Sequence, residues 1–213
     1  MLPQKPFYLI RHGESEANKA NIAAGGGIDS QLTEKGRQQP KELSPFLPQL
    51  KIQPTVIHHS SMIRATDTAI YLNASLNLDM HPHQDLREHE IGDWEGMAWE
   101  IVLPQLNEHV PPPNGETRHQ FASRIQSIFT DILNSCTDDD IPMIVCHGGV
   151  FHALGTLYEY GISPIQNCHL HYFEPEDEWD DFPWRVKTFD IEGEKLIEKQ
   201  AQFCLSVALE KSA

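Results

Sequence analysis

Arg11, His12 and Gly13 stand at the end of a continuous apolar run, Phe7 to Ile10. A cation, an imidazole and a glycine at the tip of a buried strand are costly unless they face a cleft and meet a ligand. Arginine beside histidine suggests an anion held by a fork of donors and attacked by a nitrogen nucleophile. Gly13 reads as the residue that lets the backbone turn and approach that ligand closely. A second apolar run, Ile141 to Cys146, ends the same way, in His147-Gly148-Gly149. The amides after Gly148 would open a helix N-terminus, a ready anion site. A third run, Thr55 to His59, leads into Ser60-Ser61, which reads as the cap of a helix from Met62 to about Leu72. Arg64 in its first turn opposes the helix dipole. It makes sense pointing at the same anion as Arg11; the plainer alternative is a surface pair with Asp67 at i+3. Glu88 lies in Leu86–Gly96, a stretch of carboxylates, Trp94 and glycines without the period of a regular element. A carboxylate beside an apolar ring suits a general acid, although a charged loop fits the pattern equally well.

The elements that must position these residues alternate strand and helix, which implies an α/β fold. We expect a three-layer α/β/α sandwich, a mostly parallel sheet with helices on both faces, as one domain over 1–213. In such sheets ligands bind beyond the carboxyl ends of the strands. Ser15 is expected to cap a short helix carrying Asn18, and Thr33 a helix that Pro40, Pro45 and Pro48 limit or kink. Met97 to Leu103 reads as a helix ended by Pro104, and Pro111-Pro112-Pro113-Asn114-Gly115 as a stiff connection. After Thr117 a core stripe of Phe121, Ile125, Ile128, Phe129 and Ile132 falls at helical spacing. His169–Phe173 and Trp184–Phe189 read as strands joined by the acidic loop Glu174–Phe182, and the tail from Gly193 as polar and then helical. Ala23-Ala24-Gly25-Gly26-Gly27 lacks the Lys-Ser/Thr ending of a P-loop and reads as a mobile loop at the cleft rim.

The net charge of −15 argues against a nucleic-acid or anionic-membrane partner. It also disfavours highly charged substrates through its long-range field. Cys136, Cys146, Cys168 and Cys204 have no paired spacing and read as free thiols of a reducing compartment. With no leader pattern and no membrane-length apolar run, a cytoplasmic location is expected. Nothing in the pattern sets an oligomeric state.

Taken in order, Arg11-His12-Gly13-Glu14-Ser15 with Asn18, Ser60-Ser61 with Arg64, Leu86-Arg87-Glu88 through Trp94-Glu95-Gly96, and His147-Gly148-Gly149 resemble the histidine phosphatase, or phosphoglycerate mutase-like, superfamily. The likeness runs from about Phe7 to Asn167, and Asp29–Gln39 and Asn114–Thr117 look like its connecting segments. The resemblance implies that His12 is a nucleophile forming a phosphohistidine. Arg11, Arg64 and His147 would clamp the phosphoryl oxygens, His147 as a cation, and Asn18 and the Gly148 amide would add donors. Glu88 would protonate the leaving alkoxide and then activate water. Glu14 and Glu95 would stand behind these. No cofactor and no metal is implied, because the arginines supply the positive charge.

The superfamily holds mutases and phosphatases. A phosphoglycerate mutase needs extra cations after the acid glutamate, whereas His89 to Thr117 contains no Lys or Arg; the first is Arg118. Ile91–Gly96 also looks like the phosphatase branch. The expectation is hydrolysis of a small-molecule phosphate monoester, with specificity set by Met97–Gln120 and Glu174–Trp184. A cofactor-dependent mutase and a non-catalytic phospho-ligand binder are the alternatives. A metal-dependent hydrolase is a further rival, given 12 histidines that include His58-His59, His81-Pro82-His83 and the pair His169 and His171. No His-Glu-x-x-His or comparable ligand set accompanies them.

Overall fold

A computed structural model describes residues 1–176 and 182–201 and the backbone of 204–205. In chain order the elements are β1 (Phe7–Arg11), α1 (Glu16–Lys19), α2 (Glu34–Leu43), β2 (Val56–Ser60), α3 (Ile63–Asn73), β3 (Met80–His83), α4 (Trp99–Asn107), α5 (Arg118–Ser135), β4 (Pro142–Cys146), α6 (Gly148–Leu157), β5 (Gly161–Ile162), β6 (Leu170–Pro175), β7 (Trp184–Glu192), β8 (Lys195–Gln200) and β9 (Cys204–Leu205).

The central sheet has seven strands in the order β3-β2-β4-β1-β6-β7-β8. The first four are mutually parallel, and β6, β7 and β8 continue the sheet antiparallel. Because β7 reverses the reversal of β6, it runs in the sense of β1, and most of the sheet points one way. The two-residue strand period sends alternate side chains to opposite faces. Phe7 and Leu9 of β1 join Ile144 and Cys146 of β4 under α5 and α6, with Phe121, Ile125, Phe129 and Phe151. Tyr8 and Ile10 join Met143 and Val145 under α2 and α3, with Leu43, Ala65, Ala69 and Leu72. A strand buried on both faces reads as a continuous apolar run, which is why β1 and β4 are so plain in the sequence.

Several local expectations hold. Ser15 and Thr117 cap α1 and α5 in full capping boxes, and Thr33 caps α2 through the Gly36 amide. Others are corrected. Helix α3 starts without a side-chain cap from Ser60 or Ser61; the Asp29 carboxylate, distant in sequence, accepts from the Ile63 amide at 2.9 and 3.2 Å. Helix α4 begins at Trp99 and runs through Pro104. The proline withholds one amide, the one that would bond the Glu100 carbonyl, and Glu100 is exposed to water. Pro40 likewise lies inside α2. After Gly193 the chain forms strand β8 rather than a helix, because β7 offers it an open edge. Part of the acidic loop, 177–181, and the tail beyond it, 202–203 and 206–213, lie outside the described residues, as does the Cys204 side chain; Cys136, Cys146 and Cys168 are free thiols. No described helix is long and apolar enough to cross a membrane.

The sheet buries uncharged histidines. His58 hydrogen-bonds His83 at 2.8 Å, and burial, then His83, His81 and His59, lowers its pKa to about 4. Burial, then His169, lowers that of His171 to about 4. The unfolded chain takes up these protons near the ordinary 6.5, the folded chain only near 4. Their contribution is therefore complete above 6.5 and is lost as pH falls towards 4, by roughly 1.4 kcal/mol per pH unit for each residue. Urea unfolding at pH 7, 6 and 5 is expected to give a slope that His58→Gln and His171→Gln each flatten by about that amount. A wild-type slope retained in both variants would show that these rings charge freely within the fold.

Candidate active site

The register of the sheet brings the chemistry together. Arg11 pairs with Cys146, and the His12 amide donates to the Cys146 carbonyl at 2.9 Å. His12 and His147 therefore leave adjacent strands side by side, their ring centroids 5.1 Å apart. Strand β2 ends on the other flank of β4, and the Ser60 hydroxyl lies 2.8 Å from His147 Nε2. Helix α3 returns over these ends and brings Arg64 Nε to 3.2 Å from His12 Nε2.

The contact with Arg64 assigns the proton on the His12 ring. Arg64 can only donate, so His12 Nε2 carries a lone pair and Nδ1–H donates to the Gly13 carbonyl at 2.7 Å. Burial first, then Arg64 and Arg11, hold the His12 pKa well below 6.5. The ring is neutral, with its nucleophilic nitrogen beside a guanidinium. Ser60 Oγ accepts from the Met62 amide and shares a hydrogen bond with His147 Nε2. Burial, then Arg64, His12 and Arg11, also holds His147 well below 6.5. It is thus neutral here; a cationic form requires a negative charge beside it.

Arg64 is buried and is not a partner of Asp67. Its Nη1 donates to the Ile28 carbonyl and its Nη2 to the Gly25 carbonyl, both at 3.0 Å. The glycine loop is accordingly a buried acceptor wall for Arg64 rather than a mobile rim; Ala23 to Gly26 are all buried. Arg11 Nη1 donates to the Ile165 carbonyl at 2.7 Å, and Arg11 Nε is buried with no protein partner. His147 Nδ1 is likewise buried without one. Unpaired buried polar nitrogens are rare enough to need a reason. Here two of them belong to the side chains flanking a nitrogen lone pair, the composition of an anion site. Asn18 accepts through Oδ1 from the Ser15 amide and from Asn167, both at 3.2 Å, which orients its amide nitrogen away from them.

Glu88 bridges its own loop to the start of α6. One carboxylate oxygen accepts from the His89 amide at 2.9 Å, the other from the Gly149 amide at 3.0 Å. A Cβ on Gly149 would lie 2.0 Å from that carboxylate and would push it aside. Gly148 lies against the Arg11 guanidinium. Gly13 also makes a close approach that the sequence did not suggest: a Cβ there would lie 2.1 Å from the Gly36 carbonyl oxygen of helix α2. Glu14 turns away from the site, to Thr33 and Lys35. Glu95 accepts from the Gly27 amide at 2.7 Å and braces the glycine loop, its pKa raised by burial.

Three residues that position the site were not singled out from sequence. Asn167 donates to the His12 carbonyl at 2.9 Å. Thr68 accepts from the Gly13 amide at 3.0 Å and donates to the Arg64 carbonyl at 2.7 Å. Arg124 pairs with Glu116 at 2.6 Å and donates to the carbonyls of Asp85, Arg87 and Glu88, clamping the loop that carries Glu88. Nothing local marks any of them, since each acts on backbone far away in sequence. Among the described residues no group of three or more His, Cys, Asp or Glu is arranged to hold a metal ion.

Comparison with known proteins places this geometry in context. The family model of the histidine phosphatase superfamily (branch 1) matches residues 7–177. A provisionally named phosphoserine phosphatase 2 of Hydrogenobacter thermophilus is 30% identical over 177 residues, covering 78% of this chain and 85% of its own. A glucosyl-3-phosphoglycerate phosphatase of Mycolicibacterium vanbaalenii is 30% identical over 161 residues, 68% of this chain and 70% of its own. The solved structure of a mycobacterial glucosyl-3-phosphoglycerate phosphatase shares the fold with a TM-score of 0.71 at 24% identity, over 85% of this chain and 96% of that one.

The proton assignment has a direct readout. In ¹⁵N spectra of the imidazoles at pH 6, where an exposed histidine is mostly charged, His12 and His147 are both expected to be neutral, His12 with its proton on Nδ1. A charged His12 at that pH would remove the proton assignment.

Proposed function

The chain belongs to the histidine phosphatase superfamily (branch 1) and is a phosphoric monoester hydrolase, and we propose that it hydrolyses the phosphate monoester of a small metabolite through a phosphohistidine on His12. The observation that carries this reading is the unprotonated Nε2 of His12, its ring held by the Gly13 carbonyl and Arg64 and flanked by the unpartnered nitrogens Arg11 Nε and His147 Nδ1.

Two displacements follow. His12 Nε2 attacks phosphorus, the P–N bond forms, and the ester P–O bond breaks with its electron pair on the leaving oxygen. Glu88 gives that oxygen its proton. The alcohol departs, Glu88 takes a proton from water, the water oxygen attacks phosphorus, and the P–N pair returns to His12. Arg11, Arg64, His147, Asn18 and the Gly148 amide meet the charge on the equatorial oxygens. Such fixed donors in a site closed to water contribute most where charge develops. Bidentate guanidinium forks suit those oxygens better than ammonium would. The incoming phosphoryl charge draws His147 towards its cationic form, so the clamp strengthens as it engages.

Phosphate release from a panel of metabolite monoesters in the presence of EDTA is expected from the wild type and not from His12→Ala. Arg64→Met is expected to lower kcat by about 10²–10³-fold. Glu88→Gln should slow alkyl esters far more than p-nitrophenyl phosphate, because only the poor leaving group needs the proton. Equal slowing of both would take Glu88 out of the acid role. Transfer of the phosphoryl group between hydroxyls without its release would make the enzyme a mutase.

A further inference from the structure

Helix α6 carries one ridge away from the core. Gly148, His152 and Thr156 follow at four-residue spacing, while Val150, Phe151, Ala153 and Leu154 are buried. The ridge starts at the proposed phosphate end, where Gly148 touches Arg11 and the neighbouring Gly149 amide holds Glu88. Each step along it advances about 6 Å, and its side chains lean back towards that end. His152, one step on, is exposed and lies in the field of Glu88 and Arg11 on one side and Arg118 on the other. Thr156, two steps on, accepts from Arg118 Nε at 2.7 Å. The ring of His109 closes on the same guanidinium, with Nε2 2.6 Å from Nη1. His109 holds a left-handed backbone, φ 60°, which a non-glycine residue adopts at some cost.

Acidic residues outnumber Lys and Arg by 31 to 16. Arg37, Arg64, Arg124 and Arg185 each have a carboxylate partner. Among the described residues Arg11, Arg87 and Arg118 have none; Arg11 belongs to the proposed phosphate site, Arg87 donates to the Gly26 carbonyl, and a hydroxyl and an imidazole orient Arg118 without neutralising it. It is also the one cation between Glu88 and Arg124 in sequence. An aligned, uncompensated guanidinium on the ridge that leaves the phosphate site is suited to an anionic group on the rest of the substrate.

We propose that Arg118, aligned by Thr156 and His109 and reached across His152, determines specificity by binding a carboxylate on the non-reacting part of the substrate. The preferred substrates are then phosphate esters of small carboxylic acids. This rests on the phosphatase reading above. One guanidinium matches one carboxylate, and the His152 imidazole beside it can offer a hydrogen bond. The overall negative charge works against such a substrate only at long range, where salt screens it over ~8 Å.

The test compares kcat/KM for 3-phosphoglycerate and glycerol 3-phosphate, in which a hydroxymethyl group replaces the carboxylate. The wild type is expected to favour the acid by about 10–100-fold, the discrimination of a charged hydrogen bond. Arg118→Gln should abolish that preference through the KM of the acid, Arg118→Lys should keep part of it, and Arg118→Glu should shift it towards O-phosphoethanolamine. A folded Arg118→Gln enzyme with the preference intact overturns the proposal. Should the variants not fold, the wild-type ratio decides by itself: equal hydrolysis of the two esters overturns the carboxylate subsite and leaves the phosphatase reading standing. Hydrolysis of neither, nor of p-nitrophenyl phosphate, overturns that reading and the proposal with it.

Discussion

A single buried imidazole has to stay neutral and point one nitrogen outward, and the surrounding structure is arranged around that requirement. His12 sits at a strand end with Arg11 behind it and Arg64 across it. Burial and both cations suppress its protonation, while the Gly13 carbonyl fixes which nitrogen keeps the proton. A protonated His12 would have no lone pair for phosphorus; the other tautomer would present Nε2–H to Arg64, donor against donor. The same two arginines that keep the ring neutral are the groups suited to hold a phosphoryl oxygen, so in the proposed mechanism activation of the nucleophile and binding of its target come from one charge distribution.

That arrangement depends on backbone placement more than on the side chains themselves. The parallel register of β1 with β4 puts His12 beside His147, and Gly13 packs backbone to backbone on Gly36 of α2. Thr68 ties the Gly13 amide to the helix that carries Arg64. The carbonyls of Gly25 and Ile28 take the two ends of the Arg64 guanidinium and keep Nε on the histidine. Arg124 clamps the loop of Glu88 from a helix on the opposite side of the sheet from α3. Rigid strand and helix ends hold every proposed phosphate ligand, and the loops contribute mainly carbonyl acceptors, which suits a site that must place donors to within a fraction of an ångström.

Outside this centre the chemistry changes character. The proposed phosphate end is crowded with cations and has few carboxylates apart from Glu88, whereas the segment from His89 to Ser123 offers a single Lys or Arg, Arg118, held by a hydroxyl and an imidazole. A site divided in this way separates the group common to all substrates of the reaction from the group that distinguishes one substrate from another.

Much of this was legible in the chain alone. β1 and β4 announce themselves because a strand covered on both faces must be apolar throughout, and polar residues at its tip then stand out. The caps at Ser15, Thr33 and Thr117 are local rules, and local sequence is sufficient for them. The stripe of α5 is legible for the same reason. Where the sequence misleads, the deciding partner is remote: Asp29 instead of Ser60 at the start of α3, the β7 edge that draws the tail into β8, the Gly36 backbone behind Gly13. Asn167, Thr68 and Arg124 left no local signal because each bonds to backbone brought near only by the sheet. The sequence by itself determined which reactive groups end the strands and which helices carry them, since burial and capping act within a few residues. Only the tertiary structure decided the neutral state of His12 and His147, the partners of Arg64 and the hydroxyl and imidazole that hold Arg118, because electrostatics depends on distances that the chain closes only when it folds.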